Sequence, residues 1–260
     1  MQTPRNPTRR SRNIGTAKQG HGQNNRLVIP DRSDGVYWLD HIGRHKHVVN
    51  RIAGKEVNFI IEANTEGFLH PCSVADVEHV LSKLPASDWA GLDTFVFRQP
   101  TRKQQTLSLV WGRLLYHAEI TTDKGQKIAK GPVVFLEAVK QNSIVDWSTS
   151  LDPDDQRELK RLKCDGHEID QSGRTHRINV TAKAARNTQL YRTLIHEIGH
   201  WFDWLSKVEQ PAANGKDFAS LERRYFARPR AEREAFAHRY ADEMRKNLEQ
   251  SHVIPFDPLP

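Results

Sequence analysis

The stretch Gln189 to Ser206, QLYRTLIHEIGHWFDWLS, constrains the fold more than any other part of the chain. Leu190, Leu194, Ile195, Ile198, Trp201, Phe202 and Leu205 cover most sides of a helix expected to run from Thr188, capped by Asn187, to about Ser206. Such a helix belongs inside the molecule, with other layers packed around it. Yet it carries His196, Glu197 and His200, and two unpaired imidazoles with a carboxylate are costly to bury. A metal ion removes that cost.

The spacing supports the same reading. His196 and His200, four residues apart, project from one helical face within reach of a single cation. Neutral imidazoles suit a borderline ion such as zinc, and Glu197 points to the side of the pair, where it can take a proton from a metal-activated water. This is the HExxH arrangement. A longer HExxHxxGxxH pattern would require glycine at 203 and histidine at 206, but Asp203 and Ser206 stand there, which excludes the metzincin pattern.

A catalytic zinc site needs a third protein ligand. A last helix is expected over Arg230 to Gln250, with Ala237, Tyr240, Ala241, Met244 and Leu248 on its apolar arc. Glu234 falls at the edge of that arc, whereas Glu232, Asp242 and Glu243 lie nearer the polar side. Glu234 is therefore the expected ligand, with Glu232, His238 and Asp217 as alternatives. Tyr225, expected in a loop before this helix, and His238, one turn beyond Glu234, are candidates for a second electrophile. Two other groupings read as ordinary structure: Cys164 with His167 at a surface turn on Asp165-Gly166, and His41, His45 and His47 in and beside a basic connector.

Elsewhere the chain alternates plain signals with gaps. Residues 1–34 are rich in Pro, Gly, Asn and Arg and read as a disordered basic arm, which carries much of the net charge of +7. Strands are expected at GVYWLDHI and KEVNFIIEA, joined through GRHKHVVNRIAGK. An amphipathic helix follows from Ser73, whose spacing to Asp76 suits a capping box, to Pro85. DTFVFRQP, LSLVWGRLLYHAEI and GPVVFLEAV read as three further strands, and HRINVTA as another. Residues 141–175 read as a polar insertion holding one charged helix, with Asp152 as its cap and Pro153 at its first position. Residues 251–260 form a Pro-rich tail. Two cysteines in 260 residues exclude a disulfide framework, and neither a membrane-spanning run nor a secretory signal is present, so a cytoplasmic, membrane-free setting is expected.

HEIGH followed by Glu234-Ala-Phe-Ala-His-Arg-Tyr-Ala resembles the gluzincin-type metallopeptidases, especially the compact lethal-factor-like domains with E-x-F-A-E and the ImmA/IrrE-type peptidases with E-x-x-A-x-x-F-A. The match covers about residues 190 to 245. His238 replaces the acidic residue of the first pattern, and Tyr240 stands where the second has phenylalanine. The resemblance implies an α+β, zincin-like core over residues 35–250: a backing helix, a small mixed twisted sheet, the HExxH helix and a C-terminal glutamate helix. It also implies zinc-dependent hydrolysis of a protein or peptide substrate. Two other functions fit the sequence. One is a nucleic-acid-associated protein with a structural metal, its basic arm meeting nucleic acid or an acidic partner; the other is a non-peptidase zinc hydrolase.

Overall fold

The computed structural model describes residues 41–101 and 110–260, and the basic arm lies outside them. Of the first expected strand only the end, β1 (His41–Ile42), is described.

The strands that follow begin with a correction. The segment expected as a connector is itself a strand, β2 (His45–Ile52), paired antiparallel with β3 (Lys55–Glu62) from His45↔Glu62 to Ile52↔Lys55. Ala53 and Gly54, with φ of 49° and 80°, form the two-residue turn whose twist suits a hairpin. The charges that hid β2 in the sequence, Lys46 and Arg51, are exposed on opposite faces of the strand at the rim of the sheet. Edge strands often carry such charges.

Helix α1 (Val74–Lys83) starts with both halves of the expected capping box, as Ser73 Oγ accepts from the Asp76 amide and Asp76 Oδ2 from the Ser73 amide. It is followed by the wholly buried β5 (Thr94–Arg98) and a long hairpin, β6 (Gly112–Thr122) with β7 (Lys127–Glu137). The main sheet is mixed, in the order β1-β6-β7-β5-β3-β2. Because side chains alternate along each strand, Phe59, Phe95, Phe97, Val134 and Leu136 face one core with α1 and the helix bearing the histidines. Ile60, Val96, Val133 and Phe135 form a smaller cluster with Ala118 and Ile120.

The polar segment 141–175 contains the expected helix, α2 (Pro153–Cys164), with Asp152 accepting from the Asp154 and Asp155 amides. It also supplies β9 (Ser143–Ser148) and β10 (Glu168–Ser172), which pair with β11 (Thr175–Val180) in the order β10-β11-β9. A third, two-stranded sheet joins β4 (Phe68–Leu69) to β8 (Val139–Lys140). The Asp165-Gly166 turn leaves Cys164 and Gly166 exposed, as a surface turn would, but buries Asp165. Asp165 is 1% exposed and binds Arg192 Nε and Arg245 Nη1, each at 2.7 Å, and Thr188 Oγ1 at 3.0 Å. His167 beside it is also buried, bonded to Asn179 O and Thr188 Oγ1.

The central helix begins earlier than expected. Thr181, not Asn187, is its cap, accepting from the Ala184 amide. Ala182-Lys183-Ala184-Ala185 favours helix strongly enough to start the run six residues earlier. The run comprises α3 (Ala182–Thr188), a π-helical turn (Gln189–Thr193), α4 (Leu194–Trp204), a second π turn (Leu205–Glu209) and α5 (Gln210–Ala213). Asn187 instead donates to Asp165 O. After α6 (Phe218–Ala227), the last helix, α7 (Arg230–Gln250), has the expected bounds. Among the described residues no helix is long and apolar enough to cross a membrane. The architecture is mixed α+β, with α4 lying between the sheet and α7.

Candidate metal centre

Two contacts of glycine set the geometry around α4. A Cβ on Gly199 would lie 3.0 Å from Tyr240 Cδ1 and 3.2 Å from Ala237 Cα, so any side chain there would press α7 back by a few tenths of an ångström. A Cβ on Gly112 would lie 2.6 Å from Phe135 O and 2.9 Å from Thr193 Cγ2, so β6 presses equally closely on the start of the helix. The HExxH segment is gripped from both sides.

On that scaffold the side chains converge. The Nε2 atoms of His196 and His200 each lie 3.4 Å from Glu234 Oε2. One ligand atom from each residue can be chosen so that all three lie within 4.8 Å of one another, and all three residues are half-buried. Two atoms bound to one zinc at about 2.0–2.2 Å and a tetrahedral angle sit roughly 3.3–3.5 Å apart, so these contacts match the spacing of a shared ion. Hydrogen bonds from His196, then His200, hold the Glu234 carboxyl far below the usual carboxylate range, and Arg230 Nε adds another 3.2 Å from Oε1.

The alternatives lie elsewhere. Glu232 is exposed and reaches towards Arg228 at 3.7 Å. Asp217 is exposed and caps α6 through the Ser220 amide. His238 lies one turn beyond Glu234 with its ring 4.3 Å from that of His196, and burial, reinforced by His196 and Arg161, pushes its pKa down to about 3. Its imidazole is neutral at neutral pH.

Glu197 stands apart from the three and lines a cleft of about 450 Å³ with His196, His238, Trp111 and Arg192. Its Oε2 accepts from the Leu114 backbone amide of β6 at 2.8 Å. Nothing in the sequence marks Leu114. Pairing of a strand amide with a residue 83 positions later depends on how β6 packs against α4, and local pattern does not encode that.

Tyr225 corrects an expectation. It lies in the last turns of α6 rather than in a loop, is 2% exposed, does not line the cleft, and has its hydroxyl 3.1 Å from that of Tyr116. Aromatic packing against Trp204 and Phe226 accounts for its position. Tyr116, on β6 two residues beyond Leu114, has its phenol pushed up to about 12 by burial.

Searches against protein-family models, curated proteins and solved structures found no match.

Proposed function

We propose that this chain is a zinc-dependent metallopeptidase, with His196, His200 and Glu234 holding the ion and Glu197 acting as general base. The observation that carries this reading is the approach of both Nε2 atoms to one oxygen of Glu234 at 3.4 Å, the spacing of ligands that share a cation. Two nitrogens and one carboxylate oxygen suit a borderline ion and leave its fourth position open. The finer fold assignment, a zincin-like core, belongs to the same proposal and is supported by the order of backing helix, mixed sheet, HExxH helix and glutamate helix.

When bound, the ion would supply Lewis acidity that lowers the pKa of water and polarises a carbonyl. The chain's own groups do the rest. The Leu114 amide fixes one oxygen of Glu197 against β6, which orients the carboxylate beside the cleft. Glu197 then takes a proton from the attacking water and returns it to the leaving amine. His238, neutral and packed at a tilt against His196, positions that ligand ring and borders the cleft. The substrate is a protein or peptide.

The test is a comparison of the zinc-loaded chain with Glu197→Gln. The variant should bind zinc as the parent does, by elemental analysis, while proteome-wide cleavage falls about 10²–10⁴-fold. Equal loss of metal would give Glu197 a ligand's role, and undiminished cleavage would make the metal structural.

A further inference from the structure

The Pro-rich tail after α7 is docked rather than loose. Ile254 is 4% exposed and joins the same core as Ile195 and Ile198 of α4. Beyond it, the half-buried Phe256 has its ring 4.6 Å from the Arg186 guanidinium and 4.4 Å from the His79 ring. Its backbone is bonded as well: Phe256 O accepts from Arg186 Nη1 at 3.0 Å and from the Tyr191 hydroxyl at 3.2 Å, and Phe256 N donates to that hydroxyl at 3.1 Å. Further along, Leu259 N donates to Asp76 Oδ1 and Leu259 O accepts from Ser73 Oγ, each at 3.0 Å.

These bonds complete a buried node. Asp76 takes Nε and Nη2 of Arg186 in a forked pair, and Tyr191 Oη accepts from Arg186 Nη1 at 2.9 Å. A phenol offers one donor and two acceptor sites. At Tyr191, which is 3% exposed, Arg186 and Phe256 N fill the acceptor sites and Phe256 O takes the proton, so undocking the tail would open the node to water and free Tyr191 on that side. Tyr191 lies in the π turn, five residues before His196, within a helical run that continues from Ala182 to Ala213. Other residues hold the same turn from other sides. Gln189 Nε2 donates to Trp111 O and Glu137 O, and Arg192 binds Asp165 and Glu158.

We propose that the tail, residues 253–259, is a positioning element for the metal centre. Clamped on Tyr191 and Arg186, it fixes the turn from which α4 starts and so keeps His196 and His200 at the spacing that Glu234 requires. Its effect on zinc rests on the metal site of the proposed peptidase; its hold on the turn does not. Because the bonds of Gln189 and Arg192 remain, release of the tail weakens metal binding without abolishing it.

The test uses full-length Phe256→Ala, Phe256→Tyr, Tyr191→Phe, the double variant Phe256→Ala with Tyr191→Phe, and Val96→Ala, which destabilises the chain from the smaller cluster. Zinc affinity is measured by competition with a chromophoric chelator. Hydrogen exchange over residues 189–200, taken relative to β3, is measured in the metal-free chain. Phe256→Ala should weaken zinc binding about 3–10-fold, as changes along a coupled network do, and Phe256→Tyr, which keeps the ring, should restore it. The double variant should lose less than the product of the two single losses, because both cut the same hold. Val96→Ala should leave zinc affinity unchanged. Relative exchange over 189–200 should rise in Phe256→Ala and not in Val96→Ala. Unchanged zinc affinity in Phe256→Ala, fully multiplicative losses, or an equal loss in Val96→Ala would overturn the proposal. A parent chain that binds no zinc sinks the metal reading instead. The exchange arm then decides the role of the tail, supporting it if the relative rate rises in Phe256→Ala and overturning it if the rate does not.

Discussion

Two glutamates two positions apart on α7 face different fates. Two residues turn a helix by about 200°, so Glu234 and Glu232 cannot both point at α4. Glu234 Oε2 lies between the histidines, while Glu232 reaches out towards Arg228. Glu234→Ala is expected to weaken zinc binding by more than the ~10–100-fold typical of losing an outer partner, and Glu232→Ala to change it by less than about twofold. Competitive titration against a chromophoric chelator measures both, and the reverse ranking would move the third ligand. Local periodicity made this pair readable from the sequence, because both the HExxH spacing and the apolar arc of α7 are properties of single helices. The Leu114 amide and the Phe256 carbonyl were not readable. Each acquires its meaning from a neighbour brought in by the fold, and no periodic pattern carries that.

Between elements, the decisive contact is the one at Gly199. Alanine is normally the better helix former by about 1 kcal/mol, so Gly199→Ala would stabilise a free-standing α4. Here its methyl would meet Tyr240 and the α7 backbone at Ala237, and overpacking of this kind costs about 1–3 kcal/mol. The expected outcome is a net loss of stability by chemical denaturation together with weaker zinc binding, as α7 moves outward and takes Glu234 with it. An alanine variant with unchanged metal affinity would show that α7 has slack. The same closeness explains which elements the sequence disclosed. α1 and α2 announce themselves through caps, β5 through an unbroken apolar run and α7 through the apolar arc of Ala237, Tyr240, Ala241, Met244 and Leu248. β2 did not, because its exposed charges outweigh the alternation of Val48, Asn50 and Ile52, and β9 and β10 did not, because the small sheet they build has one solvated side.

For the molecule as a whole, buried histidines set the response to acid. Burial lowers the pKa values of both His70 and His167 from 6.5, against opposing hydrogen bonds to Glu62 O and Asn179 O respectively. The unfolded chain therefore takes up these protons first. Their contribution to stability is whole above pH 6.5 and declines as pH falls through 6.5 towards the folded values, each group costing up to ~1.4 kcal/mol per pH unit over that range. Asp203 extends the trend. Although burial alone would raise it, Lys207 and Arg228 hold it below 3.8, so its contribution is lost only in stronger acid. The midpoint of thermal unfolding should fall between pH 7 and 5, and His167→Gln should flatten that slope; a parent protein whose midpoint is level across this range would contradict the assignment. The π turn at Gln189–Thr193 carries a different kind of consequence. Upstream of it, Arg186 is tied to Asp76 and Thr188 to Asp165; downstream, His196 and His200 meet Glu234. A π turn is an α-helix with one residue to spare, and each residue is worth about 100° of rotation. The run thus behaves like a threaded shaft with one slack turn: drawing that turn up to α geometry with every residue kept would swing both imidazoles about a quarter of a revolution out of phase with the carboxylate they are cut to meet, whereas losing a single residue there would leave a tidier helix with the two histidines still in step.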